Sequence, residues 1–178
     1  MLLKIKPFKQ YKVPFRQYRL ILSIFFAKLC VFKSAPMKIQ MKERESMFKI
    51  KIFEGTETIK IGMTSQEISE IVGEVPEKTP KGEGTQLSDM YDFGFVYYDE
   101  FGKCEGIEFF DSAQVEWNGI NLMKKSTKEV MNILRKLDSD LDIEDENIFC
   151  SLKYSIGIYG EEGKVKSVYV GRKGIYLE

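Results

Sequence analysis

Catalysis needs particular side chains at particular spacings, and one common class is missing: the 178 residues include no histidine. A serine or cysteine nucleophile activated by histidine is thereby excluded, as is any histidine-containing zinc site. Cys30, Cys104 and Cys150 show neither metal nor redox spacing. Cys104 and Cys150 read as buried free thiols, which fits a reducing compartment; pairing between them is the alternative if the chain is exported. Lys81-Gly82-Glu83-Gly84-Thr85 is glycine-rich but lacks the ending of a phosphate loop. Asp138-Ser139-Asp140-Leu141-Asp142 opens like a calcium loop. Its sixth position is Ile143 where glycine is needed, and its twelfth is Phe149 where glutamate is needed. Glu105 with Glu108, and Asp89 with Asp92, are carboxylate pairs near enough along the chain for acid–base work. No nucleophile, metal ligand or oxyanion donor accompanies them, so they read as the polar faces of strands. The expectation is no enzyme: no catalytic residue, no cofactor and no metal.

What is left is recognition chemistry. Asp138, Asp140, Asp142, Glu144, Asp145 and Glu146 crowd into nine positions. Such a run is either a solvated linker or a contact patch for a basic partner. Tyr91, Phe93, Phe95 and Tyr97 alternate, which puts them on one face if the segment is a single strand. Trp117, Tyr154, Tyr159 and Tyr169 can add to such a face, and Trp and Tyr are enriched in binding hot spots. Core packing is the ordinary fate of these residues. The candidate contact residues are therefore Tyr91, Tyr97, Trp117, Asp140, Asp142, Glu144, Asp145 and Tyr154.

The elements that must position these side chains divide by charge. Lys plus Arg equals Asp plus Glu at 27 each, and that balance gives no warrant for nucleic-acid binding. Residues 1–46 nonetheless carry eleven basic and two acidic residues, a net of +9; residues 47–178 carry sixteen and twenty-five, a net of −9. Leu20 to Phe32 is an apolar run of thirteen residues broken by Lys28, shorter than the ~20 residues that span a bilayer. Residues 1–46 read as an over-extended start, with Met47 directly before the first patterned strand, or else as a membrane-targeting segment. The first reading makes the protein cytoplasmic; the second makes it membrane-associated or exported.

The acidic part repeats itself. Tyr98-Asp99-Glu100-Phe101-Gly102-Lys103 recurs as Tyr159-Gly160-Glu161-Glu162-Gly163-Lys164, an offset of 61. Gly102 and Gly163 stand where a hairpin needs positive φ. Thr64-Ser65-Gln66-Glu67 and Ser126-Thr127-Lys128-Glu129 are capping boxes at an offset of 62. They predict helices beginning near Ser65 and Thr127, one with Ile68, Ile71 and Val72 inward, the other with Val130, Ile133, Leu134 and Leu137. The fold expected is α+β: two tandem pseudo-repeats, 47–112 and 113–178, each a helix packed on a short antiparallel sheet.

Ile59-Lys60-Ile61-Gly62-Met63-Thr64-Ser65-Gln66-Glu67-Ile68, followed by Ile71-Val72-Gly73 and Pro76, resembles the opening motif of the SmpA/OmlA and beta-lactamase-inhibitor-protein-like superfamily. The second copy departs from it, with Gly119-Ile120-Asn121-Leu122 in place of the Gly-Met-Thr run. The resemblance implies tandem helix-plus-sheet units and a role in binding; small bacterial immunity proteins are similar. The expected function is a protein-binding inhibitor or immunity protein that neutralises a toxin or enzyme by steric occlusion. The acidic charge would steer a basic toxin domain toward it. The alternative is a small envelope-associated assembly or ligand-sensing protein, held at a membrane by residues 1–46.

Overall fold

The computed structural model describes residues 47–75, 77–80 and 87–175. The basic leader and the Lys81–Thr85 segment lie outside them. In chain order come β1 (Met47–Lys51), β2 (Gly55–Thr56), α1 (Ser65–Val72), β3 (Glu77–Pro80), β4 (Leu87–Tyr91), β5 (Gly94–Tyr98) and β6 (Cys104–Phe110). Then follow β7 (Gln114–Trp117), β8 (Ile120–Asn121), a 3-10 turn (Leu122–Lys124) and α2 (Thr127–Leu137). The chain ends its described part with β9 (Asp142–Ile143), β10 (Ile148–Ser151), β11 (Ile156–Glu161) and β12 (Lys164–Gly171).

Both helices start where local chemistry satisfies their free amides. The Thr64 hydroxyl accepts from the Glu67 amide at 3.2 Å, and the Glu67 carboxylate accepts from the Thr64 amide at 2.8 Å. Ser126 and Glu129 do the same at 3.3 and 2.9 Å. α1 ends at Gly73, whose φ of 104° suits glycine alone. α1 buries Ile68; α2 buries Val130, Met131 and Leu134. Ile71 and Leu137, expected inward, are 49% and 40% exposed. Each sits in the last turn of its helix, and in α2 Met131 joins the inward face.

The fold is α+β, with eight strands in one antiparallel sheet ordered β3-β4-β5-β6-β12-β11-β10-β9. Its two meanders, β3 to β6 and β9 to β12, meet where Ile107 faces Val170 and Phe109 faces Val168. Gly102 and Gly163 turn the β5–β6 and β11–β12 hairpins at φ 71° and 75°. Thr64 bridges to Lys103 and Ser126 to Lys164, so each helix cap is tied to a hairpin. A second sheet, β2-β1-β7-β8, pairs β1 and β7 in parallel. It turns Phe48, Ile50, Val115 and Trp117 inward. Both helices, the 3-10 turn and this second sheet share one hydrophobic cluster with Val96, Ile107, Phe109, Ile156, Ile158, Val168 and Val170 of the large sheet. Burying each such side chain stabilises by about 1.5–3 kcal/mol, which fixes the inner face of the sheet.

The aromatic alternation divides between two strands. Tyr91 ends β4, Asp92 and Phe93 form a turn, and β5 begins at Gly94 paired with Tyr91. A β-carbon on Gly94 would collide with the Glu108 carbonyl, so only glycine fits there. Tyr91 stacks with Phe93 at 5.0 Å, and Phe93 meets Phe48 at 4.9 Å and Phe109 at 6.0 Å, on the core side. Phe95 and Tyr97 take the opposite face. Among the described residues no helix is long and apolar enough to cross a membrane.

Candidate functional site

Three of the carboxylates expected on solvated strand faces are buried: Asp89, Glu105 and Glu108 are 1%, 7% and 5% exposed. Each is answered by donors that sequence proximity does not suggest. Asp89 accepts from Ser65, the first residue of α1, and from the Tyr98 hydroxyl at 2.6 Å, with Lys78 Nζ at 3.3 Å. Burial, with Asp89 beside it, drives the Tyr98 hydroxyl far above its ordinary pKa. Tyr91 is also raised, to about 12, and its buried hydroxyl has no hydrogen-bond partner among the described residues. Glu105 pairs with Arg172 at 3.7 Å. Glu108 accepts from Tyr97 and from Ser167, both at 2.7 Å. Burial pushes its pKa up, and these two hydrogen bonds counter that in part. Cys104 and Cys150 are free, buried thiols pushed to about 12, which leaves no ready thiolate. No group of acidic or thiol side chains among the described residues could hold a metal ion.

Cross-strand neighbours share a face, so pairing maps the outer face of the large sheet into three rows. The middle row runs Glu77, Met90, Phe95, Glu108, Tyr169, Gly157, Cys150, Asp142. Beside it lie Phe110, Ser167, Tyr159, Ile148 on one side and Thr79, Ser88, Tyr97, Gly106, Gly171 on the other. None of these residues joins the core cluster. Their aromatic rings form a set of their own: Phe95 meets Phe110 edge-on at 5.2 Å, Phe95 lies 5.9 Å from Tyr97, and Tyr97 lies 6.1 Å from Tyr169. The Tyr169 ring lies where a side chain on Gly106 would stand.

The turns at one end of the sheet concentrate negative charge. They are the β4–β5 turn with Asp92, the β6–β7 turn with Asp111, the β9–β10 turn with Glu144, Asp145 and Glu146, and the β11–β12 turn with Glu161 and Glu162. All seven carboxylates are exposed. Lys166 sits among them, 3.0 Å from Asp111, and its pKa is raised by Asp111 first and then by Glu161 and Glu162. At the opposite end, Phe101 is 80% exposed. Its turn is fixed by the Asp99 carboxylate, which accepts from the Phe101 and Lys103 amides at 2.9 Å each.

The acidic run is thus three different things. Asp138 caps the end of α2 from a buried position, accepting from the Ser151 hydroxyl at 2.6 Å. Asp140 is exposed in the loop after α2 and Asp142 on the edge strand β9, while Glu144 and Asp145 belong to the acidic end. Asp145 also holds its own turn, accepting from the Asn147 and Ile148 amides at 2.7 and 2.9 Å. Tyr91 and Trp117, named as contact residues, are core side chains at 5% and 4% exposure and offer no surface to a partner. Tyr154 is half-buried and packs 5.8 Å from Trp117, and Tyr97 is half-buried on the outer face beside Glu108. The exposed residues absent from the contact candidates are Phe101, Asp92, Asp111, Glu161 and Glu162, of which Asp92 was weighed only as half of a carboxylate pair. The Asp-x-x-Gly turn at Asp99 was a signal for the first. The others become neighbours only through sheet order. Neither a family model, nor a curated protein, nor a solved structure matches the chain.

Proposed function

We propose that this chain is a protein-binding inhibitor of the immunity type, acting on a cationic partner by steric occlusion. The observation that carries the reading is the acidic end of the sheet: seven exposed carboxylates in four neighbouring turns, accompanied by Lys164 and Lys166. A patch in which carboxylates outnumber lysines in this way steers an oppositely charged protein and speeds its encounter. The scaffold beneath it is rigid, because three of the turns are hairpins of one continuous sheet and the fourth, after β6, leads from that sheet into the second one. The buried carboxylates serve that rigidity, each held by hydroxyl or cationic donors. The likeness of the Gly62–Gly73 segment to the SmpA/OmlA and beta-lactamase-inhibitor-like motif points the same way.

The two halves are proposed to be tandem copies of one helix-plus-sheet unit. The reading is supported by the paired capping boxes, the paired glycine turns and the paired cap-to-hairpin bridges.

The test is capture by the full chain and by a variant carrying Glu144→Gln, Asp145→Asn, Glu161→Gln and Glu162→Gln, with mass spectrometry of both eluates. A basic protein recovered by the unmodified chain and lost from the variant is expected. Identical eluates at low salt would sink the charge-steering mechanism. A toxin encoded directly upstream, whose growth defect is relieved by co-expression, would identify the partner.

A further inference from the structure

The turn between β7 and β8 carries a reactive pair. Asn118 and Gly119 are the two residues that connect the paired positions Trp117 and Ile120. Their φ values of 51° and 78° are those of a type I′ turn, the two-residue connection that asparagine followed by glycine favours. Both residues are exposed. Apart from its chain neighbours, nothing stands within 4 Å of where a β-carbon on Gly119 would lie, so water reaches the turn. The chain has four asparagines, at 118, 121, 132 and 147. Leucine follows Asn121, and isoleucine follows Asn132 and Asn147; a branched side chain on the following residue hinders attack by its amide. Asn121 and Asn147 are also held by hydrogen bonds, Asn121 from the Met123 amide and Asn147 from the Gly163 amide. Among the four, Asn118 alone combines exposure with an unhindered following amide.

That combination sets up an intramolecular reaction. The Gly119 backbone nitrogen attacks Cγ of Asn118. The new N–Cγ bond closes a five-membered imide, the Cγ–Nδ2 bond breaks, and Nδ2 leaves as ammonia with the proton of the attacking amide. Water then opens the imide. Attack at Cγ leaves an aspartate. Attack at the main-chain carbonyl carbon leaves an isoaspartate, in which the chain runs through Cβ and Cγ and is longer by one methylene. The folded turn opposes the first step. Ring closure needs the Gly119 nitrogen on the same side of the Cα–C bond as the Asn118 side chain, whereas the first central residue of a type I′ turn has ψ near about +30°, which carries that nitrogen to the far side. β7 and β8 must therefore part before the ring can close. β8 is a two-residue edge strand paired to β7 alone, and short edge segments open locally far more readily than a domain unfolds. The isoaspartate closes the way back. A two-residue turn has no place for an extra main-chain atom, so Trp117 and Ile120 cannot pair again in register.

We propose that Asn118-Gly119 is a site of spontaneous deamidation whose rate is set by opening of the β7–β8 hairpin and whose isoaspartyl product keeps β8 from pairing again. β8 runs directly into Leu122, a fully buried core side chain that opens the 3-10 turn before α2. The reaction thus gives the domain an ageing step at the edge of its second sheet. It is independent of any partner bound at the acidic end.

Ageing of the full chain at mildly alkaline pH, followed by peptide mapping with mass spectrometry, tests it. The amide-to-acid mass change is expected at Asn118 and not at Asn121, Asn132 or Asn147 over the same interval. The folded chain should convert about tenfold or more slowly than a synthetic peptide of residues 114–122, because only the open hairpin reacts. Asn121→Ala removes the hydrogen bond from the Met123 amide without touching the reacting pair, and it should raise the rate severalfold. If that variant loosens the whole domain, urea below the unfolding transition of the unmodified chain decides, and it should accelerate conversion in the same way. In the isolated isoaspartyl form, the amides of Ile120 and Asn121 should exchange hydrogen fast while those of β6 and β12 stay slow. Conversion at another asparagine first would overturn the proposal. So would a folded rate equal to that of the peptide, an Asn118 that stays intact even in low urea, or an isoaspartyl form whose β8 amides remain slow.

Discussion

Two tyrosines beside one buried carboxylate give the structure a test with its own control. Tyr98 donates to Asp89 at 2.6 Å, while the buried Tyr91 hydroxyl has no hydrogen-bond partner among the described residues. Tyr98→Phe removes a hydrogen bond to a carboxylate that is 1% exposed. Such bonds contribute about 1.5–3 kcal/mol. Ser65 and Lys78 still serve Asp89, but the Lys78 side chain is 54% exposed, so screening keeps its contribution below about 1 kcal/mol. The expected loss for Tyr98→Phe is therefore about 1.5–3 kcal/mol. Tyr91→Phe removes a buried hydroxyl that makes no bond, so it should be neutral or stabilising by up to about 1–2 kcal/mol. Both substitutions leave the ring and its packing in place. Urea unfolding of the full chain reads both, and with a slope near 2 kcal/mol/M the Tyr98→Phe midpoint falls by roughly 1 M. Ser65→Ala with Tyr98→Phe, as a double-mutant cycle, should show coupling through Asp89 above about 0.5 kcal/mol. Equal losses for the two tyrosine variants would refute the assignment of Asp89 as the point that separates them.

Three further expectations follow from the site chemistry. Glu108 has a folded pKa raised above its ordinary 4.5, so its contribution is fully present below about 4.5 and drains away as pH rises through the folded value. Glu108→Gln should therefore gain stability relative to the unmodified chain as pH increases, a trend that urea melts across a pH series would reveal or deny. Ser126→Ala should cost about 1 kcal/mol through loss of the α2 cap. Glu129, held near 2 by the same capping box, contributes stability above about 4.5 that is lost as pH falls toward 2, and in the Ser126→Ala variant this acid-side loss should shrink. Neutralising Glu144, Asp145, Glu161 and Glu162 should slow association with the captured partner and flatten its salt dependence while changing dissociation less; surface plasmon resonance at two ionic strengths measures both rates.

How much of this was legible in the sequence depends on how far apart the interacting residues lie. The capping boxes are contacts over three residues, and they marked the starts of both helices at Ser65 and Thr127. Gly102 and Gly163 marked their hairpins, because a positive φ is a property of the residue itself. The β4–β5 turn at Asp92-Phe93 went unread because Phe93 continued the aromatic alternation, although Gly94 next to it was the available signal. The buried carboxylates were unreadable for a different reason. Asp89 meets Ser65 across 24 residues, and Glu108 meets Ser167 across 59, and no local pattern records such a pair. The acidic end likewise exists only after four separate turns are gathered by sheet order.

The pairing of the two halves also governs how the chain comes into being. β1 finds its parallel neighbour only at β7, where Phe48 faces Val115, 67 residues later; β6 finds its outer neighbour only at β12, where Phe109 faces Val168. On a ribosome adding about 5–20 residues per second, β1 emerges seconds before β7, and β6 seconds before β12. During that interval the β6 edge, bearing Ile107 and Phe109, is open to any strand it meets. Closure then depends on contacts distant in sequence, which form slowly. A chain cut short before β12 would keep that apolar edge, and its expected fate is capture by chaperones or proteases.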